Sequence, residues 1–536
     1  MGIRKKRKEV KAMKRLMILV LIAVFTVGTL FTAPQSFADK KDKTNFYGRS
    51  SLSSEKRIIN GKDTSWFDYE NPKDSYKIST EAQLIGLRSL INEEQTDVWK
   101  PTRLETFEGV TFTLTKDIEL TQPWSPIGLD DSVYFAGTFD GNGHTISGMK
   151  IQDPIGASGL FGYLVGEVKN LNVEGVNESN YSNSGGIVGT LSATGRVIDC
   201  SSNVKVTGKD KCGGIVGNNE GGYIQGCVNI GNVNGTHKIG GVVGENWGGT
   251  VTECGNKGKV KSTRRGVATY GTGGVAGRSV SAEAEVSKCY NMGEINSNTE
   301  ATGGVVGYIN ATGSTVSDCY NTGTININIK SSDKEIAPAN AGGVVGIAGI
   351  NGVVVRNCYN TGMINNADIV GGVIGKYLNE TEFEISERYI KNNYYVSMAF
   401  TSGIGYIEDE RDDNLDKAVH GVSAGNMHNL MTSLSVAYMK DTGAYGNNGY
   451  PVLRWQEPVS SIEKEYFKDI PEAVQKELDA YLVKTADEVP FGQTMINILS
   501  PNNTTSNAFI LYNEAQDKIK ELKKEEARKN EQQKHK

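Results

Sequence analysis

Seven copies of one short string constrain this chain more than any other feature. Gly-Gly-[Ile/Val]-x-Gly begins at Gly185, Gly213, Gly240, Gly273, Gly303, Gly342 and Gly371, at intervals of 28, 27, 33, 30, 39 and 29 residues. An incomplete copy is Gly159-Leu160-Phe161-Gly162. A cysteine follows each of the first six starts by 14–16 residues: Cys200, Cys227, Cys254, Cys289, Cys319 and Cys358. Three residues before each cysteine stands Val197, Ile224, Val251, Val286, Val316 or Val355, and six after it Val206, Val233, Val260, Ile295, Ile325 or Ile364. Between them lies Asn-x-Gly, as in Asn229-Ile230-Gly231 and Asn360-Thr361-Gly362.

Short β-branched runs broken by Gly and Asn read as strands and sharp turns, and nothing in the unit has a 3.6-residue period. A unit of this size cannot bury its own apolar face, so successive units must stack and share one core. The spacing predicts three short strands and three corners per coil, with equivalent Val, Ile and Cys residues about 4.8 Å apart. Glycines are expected to take corner conformations that a Cβ forbids, and asparagines to hydrogen-bond along the stack. The expected fold is an all-β, right-handed parallel β-helix; a flatter solenoid of the same period is the competing architecture. With 64 glycines in 536 residues, about 12% against a usual 7%, the composition suits many tight turns.

The repeat resembles that of the GLUG-motif proteins, a family of bacterial surface and secreted proteins, in Gly-Gly-[Ile/Val]-Val-Gly followed by Asn/Asp-Cys-Tyr-Asn-Thr-Gly-x-Ile. The flanks are similar too: Trp124-Ser125-Pro126-Ile127-Gly128 and Phe139 to Ile146 upstream, and Gly449 to Trp455 downstream, which looks like the segment that closes such arrays. The resemblance spans about residues 76–456. It implies a β-helix on a surface or secreted protein and names no ligand. Some GLUG-bearing proteins resemble immunoglobulin-A-specific metalloproteases, whose His-Glu-x-x-His is missing here, so only the repeat is shared.

The ends set the expected organisation. Residues 1–38 read as a signal peptide: a basic stretch from Arg4 to Arg15, an apolar run from Leu16 to Phe31, then Pro34 and Ser36-Phe37-Ala38 as a cleavage pattern. Met13 is a second candidate start, and an uncleaved anchor is the alternative. No later apolar run is of spanning length and no cell-wall sorting pentapeptide is found. Residues 39–74 read as an irregular linker and 75–158 as an N-terminal cap with the first coils. Thr80-Glu81-Ala82-Gln83 is a capping box opening a helix over 80–92, with Leu84, Leu87 and Ile91 on one face. Val110, Phe112 and Leu114 alternate as the strand that opens the stack. The repeat array occupies 159–456. Residues 457–536 are glycine-poor and charged, with helices expected at 471–484 and 510–532 as a small, partly disordered C-terminal extension.

The net charge of −5 conceals a local +7 in residues 1–38, so the rest carries about −12, which argues against nucleic acid as a partner. There is no Gly-x-Ser-x-Gly elbow, no phosphate loop and no calcium nonapeptide. No catalytic residue, metal or cofactor is expected. Cys212, immediately before a Gly-Gly, reads as a small apolar substitute, and the others as a column of free buried thiols. Asp130, Asp131 and Asp140 lie in one region with His144 near, a grouping that a glycan-degrading β-helix enzyme could use; Asp-Gly-Asn-Gly is also what a tight corner wants, and the turn reading is favoured. What remains is binding. The stretch from the aliphatic residue after Asn-x-Gly to the next Gly-Gly is usually 7 or 8 residues, but 13 from Val260 to Gly273 and 17 from Ile325 to Gly342. Both insertions enter at one corner and should project from one edge. The first carries the dense basic cluster Lys257, Lys259, Lys261, Arg264 and Arg265, candidate ligands for anionic glycans or other cell-surface macromolecules. The expectation is therefore an exported, secreted or surface-associated, adhesin-like binding protein. A polysaccharide lyase or hydrolase is the alternative, and an envelope spacer the third reading.

Overall fold

Each repeat makes one rung of a parallel β-solenoid, nearly all β. The structure, a computed structural model, describes residues 58–59, 61–68, 70–92, 106–152, 156–263, 270–329, 338–350, 352–378, 389–407, 418–430 and 433–456. The expected signal peptide and the two C-terminal helices lie outside these residues. In the rung that begins at Asp210, the chain visits four sheets in turn. Asp210–Gly213 lies in sheet 1, Val216–Asn219 in sheet 2, Tyr223–Gln225 in sheet 3, and Val228–Asn229 with Val233–Gly235 in sheet 4. These sheets hold 7, 9, 11 and 16 strands. The expected three faces are thus four, because Gly-Gly ends one strand and starts another within a single turn.

Equivalent residues stack in register. Val197, Ile224, Val251, Val286, Val316 and Val355 pair in succession along sheet 3, and Val206, Val233, Val260, Ile295, Ile325 and Ile364 along sheet 4. Nearly all are fully buried. At the standard burial value of about 25 cal/mol per Å² these columns supply most of the driving force, and each rung contributes only next to another rung.

The glycine expectation needs correcting. The Gly-Gly residues do not have positive φ; they are small because backbones meet there. A Cβ on Gly213 would lie 2.0 Å from the Val216 carbonyl oxygen, and one on Gly214 2.3 Å from that of Gly241 in the next rung. The left-handed corner falls instead on the residue before each ladder cysteine: Asp199 (φ 51°), Gly226 (65°), Glu253 (52°), Lys288 (48°), Asp318 (54°) and Asn357 (54°). For a non-glycine residue that conformation costs roughly 1–2 kcal/mol, which stacking must offset.

The N-terminal end is covered by α1 (Glu81–Asn92), which buries Leu84, Leu87, Leu90 and Ile91. Its box is offset: Thr80 Oγ1 accepts from Gln83 N at 3.2 Å, while Gln83 Oε1 accepts from Ser79 N at 2.8 Å, one residue before the cap. The stack opens one strand earlier than expected, Ser75–Ile78 pairing in parallel with Thr111–Leu114. Residues expected to be an irregular linker form a hairpin, Ile58–Ile59 with Lys62–Asp63, followed by Trp66 and Phe67, which pack on Tyr76 at 5.1 Å and Phe107 at 5.3 Å.

Residues 449–455 do not close the array. With 423–430 and 433–448 they form a strap along the outer face of sheet 4, over a column of tyrosines in register, Tyr290, Tyr320, Tyr359 and Tyr394, of which the first three stack their rings. Tyr290 and Tyr320 centroids are 5.4 Å apart, Tyr320 and Tyr359 5.1 Å. Within the strap Tyr438–Met439 pairs antiparallel with Val452–Leu453. The strap runs back towards the N-terminal rungs: Leu434 and Tyr438 lie over the later ones, and Trp455 donates to Lys288 O at 2.8 Å and stacks on Tyr290. An outward column of four tyrosines needs a lateral cover, not an end cap.

Candidate binding edge

Both insertions leave one edge. Strands Val260–Ser262, Ile295–Ser297 and Ile325–Ile327 are consecutive and in register in sheet 4, so the two departure points are two rungs, about 10 Å, apart. The insertions themselves, 264–269 and 330–337, lie outside the described residues, and Arg264 and Arg265 with them. Lys257, Lys259 and Lys261 are exposed and alternate with buried Gly258, Val260 and Ser262, so they project side by side from the outer face of sheet 4. Lys259 Nζ lies 2.9 Å from Glu294 Oε2, an exposed pair worth at most about 1 kcal/mol.

On the other side of the same edge lies a group that the sequence reading missed. The residue after the last glycine of each repeat string forms a column on sheet 2: Thr190, Asn218, Glu245, Arg278, Tyr308, Ile347 and Lys376. Glu245, only 3% exposed, is met by Lys211 Nζ at 2.8 Å, Arg278 Nη1 at 3.0 Å and Lys238 Nζ at 3.4 Å. Burial pushes its carboxyl up, but the hydrogen bond and charge of Lys211, helped by Lys238 and Arg278, outweigh this and hold it below the usual range. Three cations on one carboxylate leave an excess of positive charge; Lys238 also reaches Asp210 Oδ2 at 3.4 Å. Arg278 Nε and Asn218 Oδ1 are buried without a hydrogen-bond partner among the described residues.

Aromatic rings border this charge. Lys238 Nζ lies 5.9 Å from the ring of Tyr270, the first described residue after the first insertion, and the His237 ring is 4.5 Å from it. The Arg278 guanidinium lies 5.9 Å from the Tyr308 ring. Two residues beyond Glu245 on the same strand, hence on the same face, Trp247 is 55% exposed. One signal was available in the sequence. Aligning the repeats puts Glu and Arg in adjacent copies where the others hold Thr, Asn, Tyr, Ile or, in the last, Lys.

Two of the aspartates named for a hydrolase, Asp130 and Asp140, hold turns. Asp130 Oδ1 accepts from Ser132 N at 2.9 Å and Val133 N at 3.0 Å; Asp140 Oδ1 accepts from Asn142 N at 2.8 Å and Asn170 Nδ2 at 3.1 Å. His144 Nδ1 faces Asp117 Oδ1 at 3.1 Å. Among the described residues no group of three His, Cys, Asp or Glu is placed to hold a metal ion, and no helix is long and apolar enough to cross a membrane.

No family model matches the chain, and no curated protein matches its sequence. Among solved structures the chain is similar to a candidate immunoglobulin A1 protease from Bacteroides ovatus, seen in a crystal structure. The two are 19% identical over 72% of this chain and 93% of that chain, with a TM-score of 0.39. At that level nothing about activity carries over. What is established is the architecture: this chain is a parallel β-solenoid built from its Gly-Gly repeat.

Proposed function

We propose that this chain is a non-enzymatic binding module, exported and displayed at the cell surface, that recognises an acidic polysaccharide at the insertion edge. One observation carries the reading: an exposed indole, Trp247, shares a face with a cluster holding more cations than carboxylates. A sugar ring stacks on such an indole while a uronate or sulfate group meets Lys211, Lys238 or Arg278. Lys257, Lys259 and Lys261 extend the positive border across the edge and steer a polyanion towards it.

The test is binding to a panel of acidic and neutral glycans across a salt series. Acidic polymers should bind and neutral ones not, with affinity falling as salt rises. Trp247→Ala should weaken binding about tenfold, the equivalent of about 1.4 kcal/mol. Joint Lys257→Gln, Lys259→Gln and Lys261→Gln should flatten the salt dependence. Release of unsaturated or reducing ends, lost on Asp140→Ala, would replace this reading with an enzyme; no binding and no release would leave a spacer.

A further inference from the structure

The strap ends where the lysines begin. Gln456, its last described residue, accepts from Tyr320 Oη at 3.0 Å through Oε1, and Trp455 stacks on Tyr290. Tyr290 and Asn291 pair with Gly255 and Asn256, so the residues that follow them, Met292 and Lys257, are neighbours one rung apart, about 5 Å. Met292 packs against the strap; Lys257 is exposed. Beyond Lys257 in the same direction is Ile230, 51% exposed, and beside it in the same strand run are Lys259 and Lys261. Among the described residues the outer face of sheet 4 is thus apolar and covered over four rungs, then basic with nothing packed on it.

The chain that continues from Gln456 has the matching composition. Residues 457–490 carry nine acidic and four basic side chains, with apolar Ile462, Tyr466, Phe467 and Ile470 among them. Gln456 sits against Tyr320, two rungs or about 10 Å from the rung of Lys257, a gap that three extended residues span. We propose that this acidic stretch is the occupant of the lysine face: it continues the strap over Lys257, Lys259, Lys261 and Ile230 of its own chain. If the lysines also serve an acidic ligand, which rests on the function proposed above, segment and ligand compete, and the segment is a built-in inhibitor.

Zero-length carbodiimide cross-linking of the full chain, read by peptide mass spectrometry on the monomer, tests the contact directly. Amide links should join Lys257 or Lys261 to carboxylates within 457–490. Acylation of these two lysines should be several-fold faster in a full-length variant carrying Glu463→Gln, Glu465→Gln, Asp469→Asn and Glu472→Gln, and the difference should close in 0.5–1 M salt, where the Debye length is about 3–4 Å. Links to this segment absent from the monomer, or present only in dimers, would overturn the proposal, as would equal acylation rates. Loss of glycan binding bears only on the ligand; with cross-links intact the docked segment stands.

Discussion

Asn256 is held by four hydrogen bonds, all made inside the solenoid. Its Nδ2 donates to Gly258 O at 2.9 Å and to Asn291 Oδ1 at 2.8 Å; its Oδ1 accepts from Asn229 Nδ2 at 2.8 Å and Gly258 N at 3.2 Å. The same link joins Asn291 to Asn321 and Asn321 to Asn360, each at 2.8 Å, so Asn-x-Gly is a ladder of amides running down the core. Asn256→Ala strands at least two buried groups and should cost about 2 kcal/mol or more in denaturant unfolding, with Asn256→Asp worse because a carboxylate cannot donate to Asn291. The cysteines behave as expected of small buried residues. All seven are free and buried, and the thiols of the six ladder cysteines donate to local carbonyls, as Cys254 Sγ does to Thr252 O at 3.1 Å. Burial pushes the thiols of Cys200, Cys227, Cys254 and Cys319 well up; against the same burial, hydrogen bonds with Cys254 and Cys319 bring that of Cys289 down to about 6, and there it is the closed core that keeps a reagent out. A thiol reagent should find none in the native chain and all seven after denaturation without reductant; equal low counts in both states would mean disulfides instead.

At the scale of elements, two carboxylates tie strands together with opposite pH signatures. The Glu245 carboxyl, held low by Lys211, Lys238 and Arg278, joins sheets 1 and 2. Its folded pKa lies below the unfolded value of about 4.3, so its contribution is complete above that pH and is lost as pH falls through the folded value. Glu245→Gln should therefore cost about 2–3 kcal/mol at neutral pH and flatten the loss of stability in acid, as followed by circular dichroism. Asp318 sits at a left-handed corner beneath the strap, accepting from Asn357 Nδ2 at 3.1 Å and from Ser435 Oγ. Burial dominates and pushes its carboxyl up. Its contribution is greatest below about pH 3.9, the unfolded value, and is lost as pH rises through the folded value. Asp318→Asn keeps an acceptor for both donors and should leave the strap equally or more stable at neutral pH, which hydrogen exchange at Tyr438 and Leu453 would report.

The whole molecule is a one-dimensional stack with a cover along one side. Each rung touches mainly its neighbours, so stability is the sum of rung interfaces and a lesion in one rung is felt locally. The strap, by contrast, links residues far apart in sequence: the Tyr438 hydroxyl shares its one proton between Asn357 O at 2.9 Å and Cys319 O at 3.1 Å, and Asn447 Nδ2 donates to Tyr359 Oη at 2.8 Å. Its strands pair with each other and not with the parallel ladders. Deleting 423–456 should leave the far-ultraviolet β signal in place while exposing Tyr290, Tyr320 and Tyr359, seen as increased binding of an apolar dye. Loss of the β signal would mean that the strap is part of the folding unit.

Columns and their contents were legible in the sequence because in a solenoid the spatial neighbour of a residue is its counterpart one repeat away. Aligning Gly213 with Gly240 therefore also aligns Val216 with Val243, Cys227 with Cys254 and Asn229 with Asn256. The shared insertion edge and the outward Lys257, Lys259 and Lys261 follow from the same arithmetic. Three things needed the tertiary structure. The number of sheets depends on the angle at Gly-Gly, which is set by how closely the backbones of sheets 1 and 2 approach. The path of the strap has no period, since Trp455 and Lys288 meet through side packing across 167 residues. The cation cluster joins Lys211 and Lys238 of sheet 1 to Glu245 and Arg278 of sheet 2, and only that same fold-back brings the two faces within ion-pair distance.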